Sequence, residues 1–132
     1  MSKIRIVLAD DHQAMLENVR ELLSTHFDVV SSVTNGQEAL DAALLLRPDI
    51  AVLDIAMPVM NGIEAARLLQ AADPSIGIVF ITADRDAAVC RAALDTGAQG
   101  YVIKARMASD LIAAVRMASQ RQQFVSPGCG AD

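Results

Sequence analysis

Five short apolar runs rich in valine and isoleucine recur along this chain, each separated from the next by a stretch with helical spacing. They cover residues 4–9, 28–33, 50–53, 77–81 and 100–103. Most are continuously apolar rather than alternating, the pattern of parallel strands buried on both faces. Met15, Val19, Leu22 and Leu23 share one face of the first helical stretch, and Leu111, Ile112, Val115 and Ala118 share one face of the last. Asn35 with Glu38 has the spacing of a capping box at a helix entry. Pro48 stops that helix, and Gly97 suits the left-handed position that ends another. Strand and helix alternating in this way predict an α/β fold, a doubly wound five-stranded parallel sheet with five helices and right-handed crossovers.

In such a sheet the functional crevice lies outside the carboxyl ends of the strands. The polar residues that close the runs all fall there. Asp10 and Asp11 follow Ile4–Ala9, Asp54 ends Ile50–Leu53, Thr82 closes Ile78–Ile81, and Lys104 closes Tyr101–Ile103. Three carboxylates brought together in a partly dry crevice repel one another. A hard divalent cation such as Mg²⁺ relieves that repulsion, binding carboxylate, carbonyl and water oxygens. A carboxylate beside it is suited to act as a nucleophile and become an acyl phosphate. The Lys104 ammonium then offsets charge on the transferring phosphoryl group, and Thr82 donates its hydroxyl to a phosphate oxygen.

Composition narrows the classes further. A length of 132 residues is one domain with room for a core. Although 53% of residues are hydrophobic, no apolar stretch approaches a membrane span. Met1-Ser2-Lys3 leads directly into a strand-like run, unlike a signal peptide, so a cytoplasmic protein without membrane contact is expected. A net charge of −5 and 3% aromatic residues disfavour nucleic-acid binding by this segment. Cys90 and Cys129 lack metal-ligand spacing, and no bridge between them is expected. The pattern stops after about Gln123. Residues 1–123 therefore read as the domain, and residues 124–132, with Ser126-Pro127-Gly128-Cys129-Gly130, as a C-terminal tail or the start of an interdomain linker.

Asp10-Asp11, Asp54-Ile55-Ala56-Met57-Pro58, Gly62, Thr82-Ala83 and Tyr101-Val102-Ile103-Lys104 resemble the signature of response regulator receiver domains, the CheY-like fold, over residues 3 to about 121. The resemblance implies a flavodoxin-like strand order 2-1-3-4-5. It implies Asp54 as phosphoacceptor, and Mg²⁺ held by Asp11, Asp54 and the Ala56 backbone carbonyl, with Asp10 acting mainly through water. Lys104 and Thr82 become phosphate contacts, and Tyr101 the aromatic that moves inward with the threonine. The donor is a histidine kinase or phosphotransfer protein, with small acyl phosphates as substitutes. Such a protein catalyses its own phosphorylation and dephosphorylation without being a conventional turnover enzyme.

Ile4-Arg5-Ile6-Val7-Leu8-Ala9-Asp10-Asp11-His12, Gly97-Ala98-Gln99-Gly100-Tyr101 and Phe124-Val125-Ser126-Pro127 are similar to the NarL/FixJ branch of that family. Members usually continue into a helix-turn-helix domain that binds DNA, for which these residues hold no counterpart. Either a single-domain regulator or the receiver of a longer transcription factor fits. Homodimers in the family form on the fourth helix, fifth strand and fifth helix, or on the first and fifth helices, and the sequence does not choose. Lys104 is followed by Ala105 where many receivers have proline. Ala56 and Asp84 flank the path of a hydrolytic water.

Each residue also has a plainer reading. Asp11 or Asp84 suits a helix cap, His12 a helix start at the rim of the site, His26 an exposed helix end, and Tyr101 the core. Jointly, on separate strands, the acids, threonine and lysine favour the receiver. A receiver used only for docking, without phosphorylation, is the alternative. A dehalogenase-type phosphohydrolase resembles a second Asp at position 56, which is Ala, and a flavodoxin-like cofactor site wants a Ser/Thr/Gly-rich loop where Asp10-Asp11 stand. The small apolar residues of the helix after Thr82 predict modest burial, as a movable element requires.

Overall fold

A computed structural model describes residues 3–127. The strands are β1 (Arg5–Ala9), β2 (Asp28–Val33), β3 (Ile50–Asp54), β4 (Gly77–Thr82), β5 (Gly100–Ile103) and β6 (Phe124–Val125). The helices are α1 (Gln13–Ser24), α2 (Gly36–Leu46), α3 (Gly62–Ala72), α4 (Ala87–Leu94) and α5 (Met107–Ser119), and a 3₁₀ turn covers Lys104–Arg106. All strand pairings are parallel, in the order β2-β1-β3-β4-β5-β6.

The five expected strands lie within one residue of their predicted bounds, in the implied order. The expectation of five strands in total is corrected to six. Phe124 and Val125 pair with Gly100 and Tyr101, adding a short strand to the β5 edge where the sequence reads as tail. Two residues carry no periodicity from which a strand can be inferred. The question of a Cys90–Cys129 bridge lies outside the described residues, as do residues 128–132 of the tail.

Helix boundaries follow local chemistry. Asn35 Oδ1 accepts from Glu38 N at 2.8 Å, while Glu38 reaches back to Thr34 N rather than to Asn35, a displaced version of the expected box. Before Pro48, Arg47 closes α2 in the left-handed region at φ 49°. Gly97 adopts φ 94° after α4, where a side chain would be strained.

Two apolar layers cover the sheet. One joins α1 and α5 through Leu16, Val19, Leu23, Phe27, Leu111 and Val115. The other, under α2, α3 and α4, is built largely from Ala39, Ala43, Ala65, Ala66 and Ala93 around Leu53, Phe80 and Tyr101. β3 and β4 are buried along their whole length, so their side chains become available only where the strands end. No helix among the described residues is long and apolar enough to cross a membrane.

Candidate functional site

The carboxyl ends of β1, β3, β4 and β5 bring Asp10, Asp54, Thr82 and Lys104 to one crevice, with Asp11 at its rim. Lys104 sits at the centre. Its Nζ lies 3.1 Å from Asp10 Oδ2 and 3.3 Å from Asp54 Oδ2, with the lysine side chain 15% exposed. Asp10 is fully buried, and its Oδ1 accepts from His12 N at 2.9 Å. Asp54 and Thr82 are each 3% exposed. The register sets Asp54 beside Ile81 and Thr82 beside Ile103, so the acid, hydroxyl and amine occupy successive rungs of neighbouring strands.

The electrostatics are those of a site short of positive charge. Burial pushes the Asp54 carboxyl up to about 6; the Lys104 charge opposes that shift, and Asp10 and Asp11 add to it. Burial also works against the Lys104 charge, but contact with Asp10 and attraction to both carboxylates outweigh it and hold the lysine above its ordinary pKa. Asp10 Oδ2 and Asp11 Oδ1 are shielded from solvent without a hydrogen-bond donor of adequate geometry. The Lys104–Asp10 contact is therefore a charge pair, and one ammonium serves two buried acids.

That imbalance is what a divalent cation corrects. Asp10, Asp11, His12 and Asp54 each offer a ligand atom within 4.8 Å of the others. The carboxylates are hard donors suited to Mg²⁺. His12 lies within reach, its Nδ1 3.3 Å from Asp11 Oδ1, but its ring is 74% exposed. It precedes α1 as the cap residue and makes no side-chain capping bond. Asp11 does not cap that helix either, so its plainer reading does not account for it.

The loop after Asp54 is shaped by two local features. A Cβ on Gly62 would come within 2.1 Å of the Asp54 carbonyl oxygen, so only glycine lets α3 begin directly against the site. Gly62 N donates to Ile55 O at 2.8 Å, closing the loop that carries Ala56. Val59, exposed on this loop, has φ 70°, a strained conformation for a β-branched residue that no sequence signal announced.

Beyond Thr82 the chain turns through side-chain bonds. Thr82 Oγ1 accepts from Asp84 N at 3.0 Å, and Asp84 Oδ1 accepts from Asp86 N at 2.8 Å. Asp86, not Asp84, caps α4 by accepting from Ala88 N and Val89 N. Tyr101 is fully buried and donates its hydroxyl to Asp84 O at 3.0 Å. Burial and the Asp84 charge push its pKa up to about 12, against a hydrogen bond from Thr82. The tyrosine thus lies inside, tied to the loop that begins at Thr82.

Sequence reasoning missed a second buried polar group. Ser126, 2% exposed, hydrogen-bonds Asp110 on α5 and the backbone of β5. A depression of about 360 Å³ lies at the opposite ends of the strands, among Lys3, Asp49, Ser75 and Arg121, and contains none of the site residues.

Comparison with known proteins fits this geometry. Residues 6–116 match the family described as response regulator receiver domain. Transcriptional regulatory protein LnrK of Bacillus subtilis strain 168 is 38% identical over 114 residues, covering 85% of this chain and 52% of that protein. Transcriptional regulatory protein DegU of Brevibacillus brevis is 34% identical over 128 residues, covering 96% of this chain and 54% of that protein. The chain thus spans about half the length of these curated relatives. Among solved structures, a LuxR-family two-component response regulator from Aurantimonas sp. SI85-9A1 superposes with a TM-score of 0.90 at 31% identity, covering 96% of this chain and 91% of that one.

Proposed function

Because this chain belongs to the response regulator receiver family of two-component systems, we propose that Asp54 is its phosphoacceptor and that phosphorylation there shifts the domain between two conformations. The observation that carries the reading is the buried Asp54 carboxylate, raised in basicity and contacted at 3.3 Å by a lysine that it shares with Asp10. With a pKa near 6, Asp54 is largely deprotonated at neutral pH and so available as a nucleophile.

In this reading one Asp54 oxygen attacks the phosphorus of a phosphohistidine, or of a small acyl phosphate. The new P–O bond forms as the donor's P–N or P–O bond breaks, and the electron pair leaves with imidazole or carboxylate. Lys104 stands where charge grows on the phosphoryl oxygens and stabilises it. Asp11, Asp54 and the Ala56 carbonyl would hold Mg²⁺, with Asp10 acting through water. The ion, when bound, supplies the positive charge that three acids and one lysine lack. Thr82 gives up its present arrangement to donate to a phosphoryl oxygen, and Tyr101, bonded to the loop that Thr82 begins, follows that movement.

A histidine kinase or phosphotransfer protein is the proposed donor, in keeping with the receiver family to which the chain belongs. Residues 1–123 are the proposed signalling domain, joined by β6 and Ser126, which pack on β5 and α5, and the remainder of 124–132 is the proposed tail or start of an interdomain linker. The output is proposed to be transcriptional, as the names of LnrK and DegU state for those proteins, and a cytoplasmic location goes with that role. Homodimerisation on phosphorylation belongs to the same proposal.

Intact mass after incubation with acetyl phosphate and Mg²⁺ tests the core of it. One phosphoryl adduct is expected in wild type, and none in Asp54→Ala or without metal. Folded wild type that binds Mg²⁺ yet gains no mass overturns the phosphoacceptor reading and leaves a docking module.

A further inference from the structure

The chain on either side of Lys104 is fastened to one buried pair, by a backbone amide before the lysine and by a side chain after it. Before it, Ile103 N donates to Ser126 Oγ at 3.1 Å. After it, Arg106 Nε donates to Asp110 Oδ2 at 3.0 Å. The two anchors meet, because Ser126 Oγ donates to the same Asp110 Oδ2 at 2.8 Å. Ser109 Oγ holds the other carboxylate oxygen at 3.0 Å. We propose that Ser126, with Asp110 behind it, is a positioning residue for Lys104, clamping the chain before and after the lysine so that its ammonium meets Asp10 and Asp54. This rests on the phosphoryl-contacting role proposed for Lys104.

The local chain explains why a clamp is needed. Lys104 opens a 3₁₀ turn of three residues, and Ala105 beside it lacks the fixed φ that a proline would impose. The ammonium nevertheless has to stand 3.1 Å and 3.3 Å from two carboxylates at the end of a flexible four-carbon stem. Precision at the tip therefore depends on a fixed backbone at the root. β6 provides it. Ser126 N donates to Tyr101 O at 2.8 Å, which seats the serine against β5, and its hydroxyl then takes the next free donor along that strand, Ile103 N. Both partners are buried, Ser126 to 2% and Asp110 to 6% exposure. Burial alone would raise the Asp110 carboxyl, yet the bonds from Ser126, Arg106 and Ser109 hold it below the ordinary aspartate value. It is a charged anchor in a fully donated cage.

A serine that merely satisfies a buried N–H would lower stability when removed and leave the lysine's chemistry alone. A double-mutant cycle separates the two roles. The rates of adduct formation and decay with acetyl phosphate and Mg²⁺ are compared for wild type, Ser126→Ala, Lys104→Ala and the double variant. Ser126→Ala is expected to change these rates roughly tenfold where Lys104 is present, and less than about twofold in the Lys104→Ala background. An equal fold-change in both backgrounds overturns the proposal. Arg106→Ala removes the exposed arm of the clamp without opening the core, and carries the same cycle if Ser126→Ala does not fold.

A second readout needs no phosphorylation. Lys3 and Lys104 are the chain's two lysines, so ¹³Cε relaxation resolves Lys104 with Lys3 as internal control. Lys104 should be ordered in wild type and markedly more mobile in Ser126→Ala or Arg106→Ala, with Lys3 unchanged. Unchanged Lys104 order in both variants overturns the clamp. If wild type forms no adduct, the phosphoacceptor reading fails by itself, and the relaxation arm still decides this one.

Discussion

The two helices that flank β5 are held to the sheet very differently. α5 buries Leu111, Ala114, Val115 and Ala118 to 1% exposure or less, and shares its layer with the large side chains of α1 and Phe27. The buried residues of α4 are Cys90 and Ala93, while Ala87 and Ala88 face solvent. Since hydrophobic stabilisation follows the apolar area removed from water, α5 is anchored far more strongly than α4. The difference continues into the polar groups. Asp110 on α5 has every donor it needs, whereas the crevice beside α4 keeps Asp10 and Asp54 on one shared lysine. In apolar burial one side of β5 is held more firmly than the other, and the lightly buried side is the better place for a switch.

Truncating one apolar side chain on each helix should produce the largest difference between them. Leu111→Ala removes a fully buried side chain and should cost about 2–5 kcal/mol in urea unfolding. Val89→Ala, half-buried on α4, should cost less than about 1 kcal/mol. Equal losses would show that α4 is anchored as firmly as α5.

The next largest effect should have the opposite sign. Asp54 is charged in a place that disfavours charge, so Asp54→Asn should stabilise the metal-free protein near pH 8. The raised pKa, about 6 against 3.8, corresponds to a ceiling of about 3 kcal/mol. Folded Asp54 holds its proton to higher pH than unfolded Asp54, so the folded state weakens as pH rises from about 4 to about 6, and stays weakened above. The advantage of Asp54→Asn should therefore vanish below pH 4. Mg²⁺ should stabilise wild type at pH 8 and Asp54→Asn less. Thermal melts across pH check both, and an advantage independent of pH would show that charge is not the cause.

How much of this was legible in the sequence depends on whether the signal was local. β3 and β4 were read within a residue because strands buried on both faces leave an unbroken apolar run, and their final residues then name the site. β6 was not legible, since Phe124 and Val125 are a strand only because β5 offers an edge. Asp110 reads as an ordinary first-turn acid and Ser126 as a linker residue. Their meeting joins α5 to a segment 16 positions later, and no spacing rule anticipates it. Among the acids after Thr82, Asp84 and Asp86 have the same capping chemistry, and the Thr82 hydroxyl decided between them by fixing Asp84 N.

The looseness of α4 can be sharpened at its first turn. Asp86 supplies the side-chain cap, so Asp86→Ala should cost about 1 kcal/mol. If α4 is a locally opening unit, most of that loss should appear as faster amide exchange within residues 87–94, with α5 exchange hardly changed. A matching acceleration in α5 would mean that the helices unfold as one.

The smallest effect is the most informative about coupling. Tyr101 belongs to β5, the element both helices share, and its hydroxyl reaches across to Asp84 O at 3.0 Å. Tyr101→Phe keeps the ring in the core and deletes that bond together with the one from Thr82. Asp84 is exposed, so water can replace the donor, and the cost should be near the lower end for a hydrogen bond, about 0.5 kcal/mol. Global unfolding should scarcely register it. Amide exchange from Asp84 into α4 should nevertheless quicken, because the bond is a tether from the rigid strand to the loop that Thr82 begins. Exchange there identical to wild type would mean that Tyr101 is packing alone, and that the movement of α4 is set by its cap and its small residues without the tyrosine.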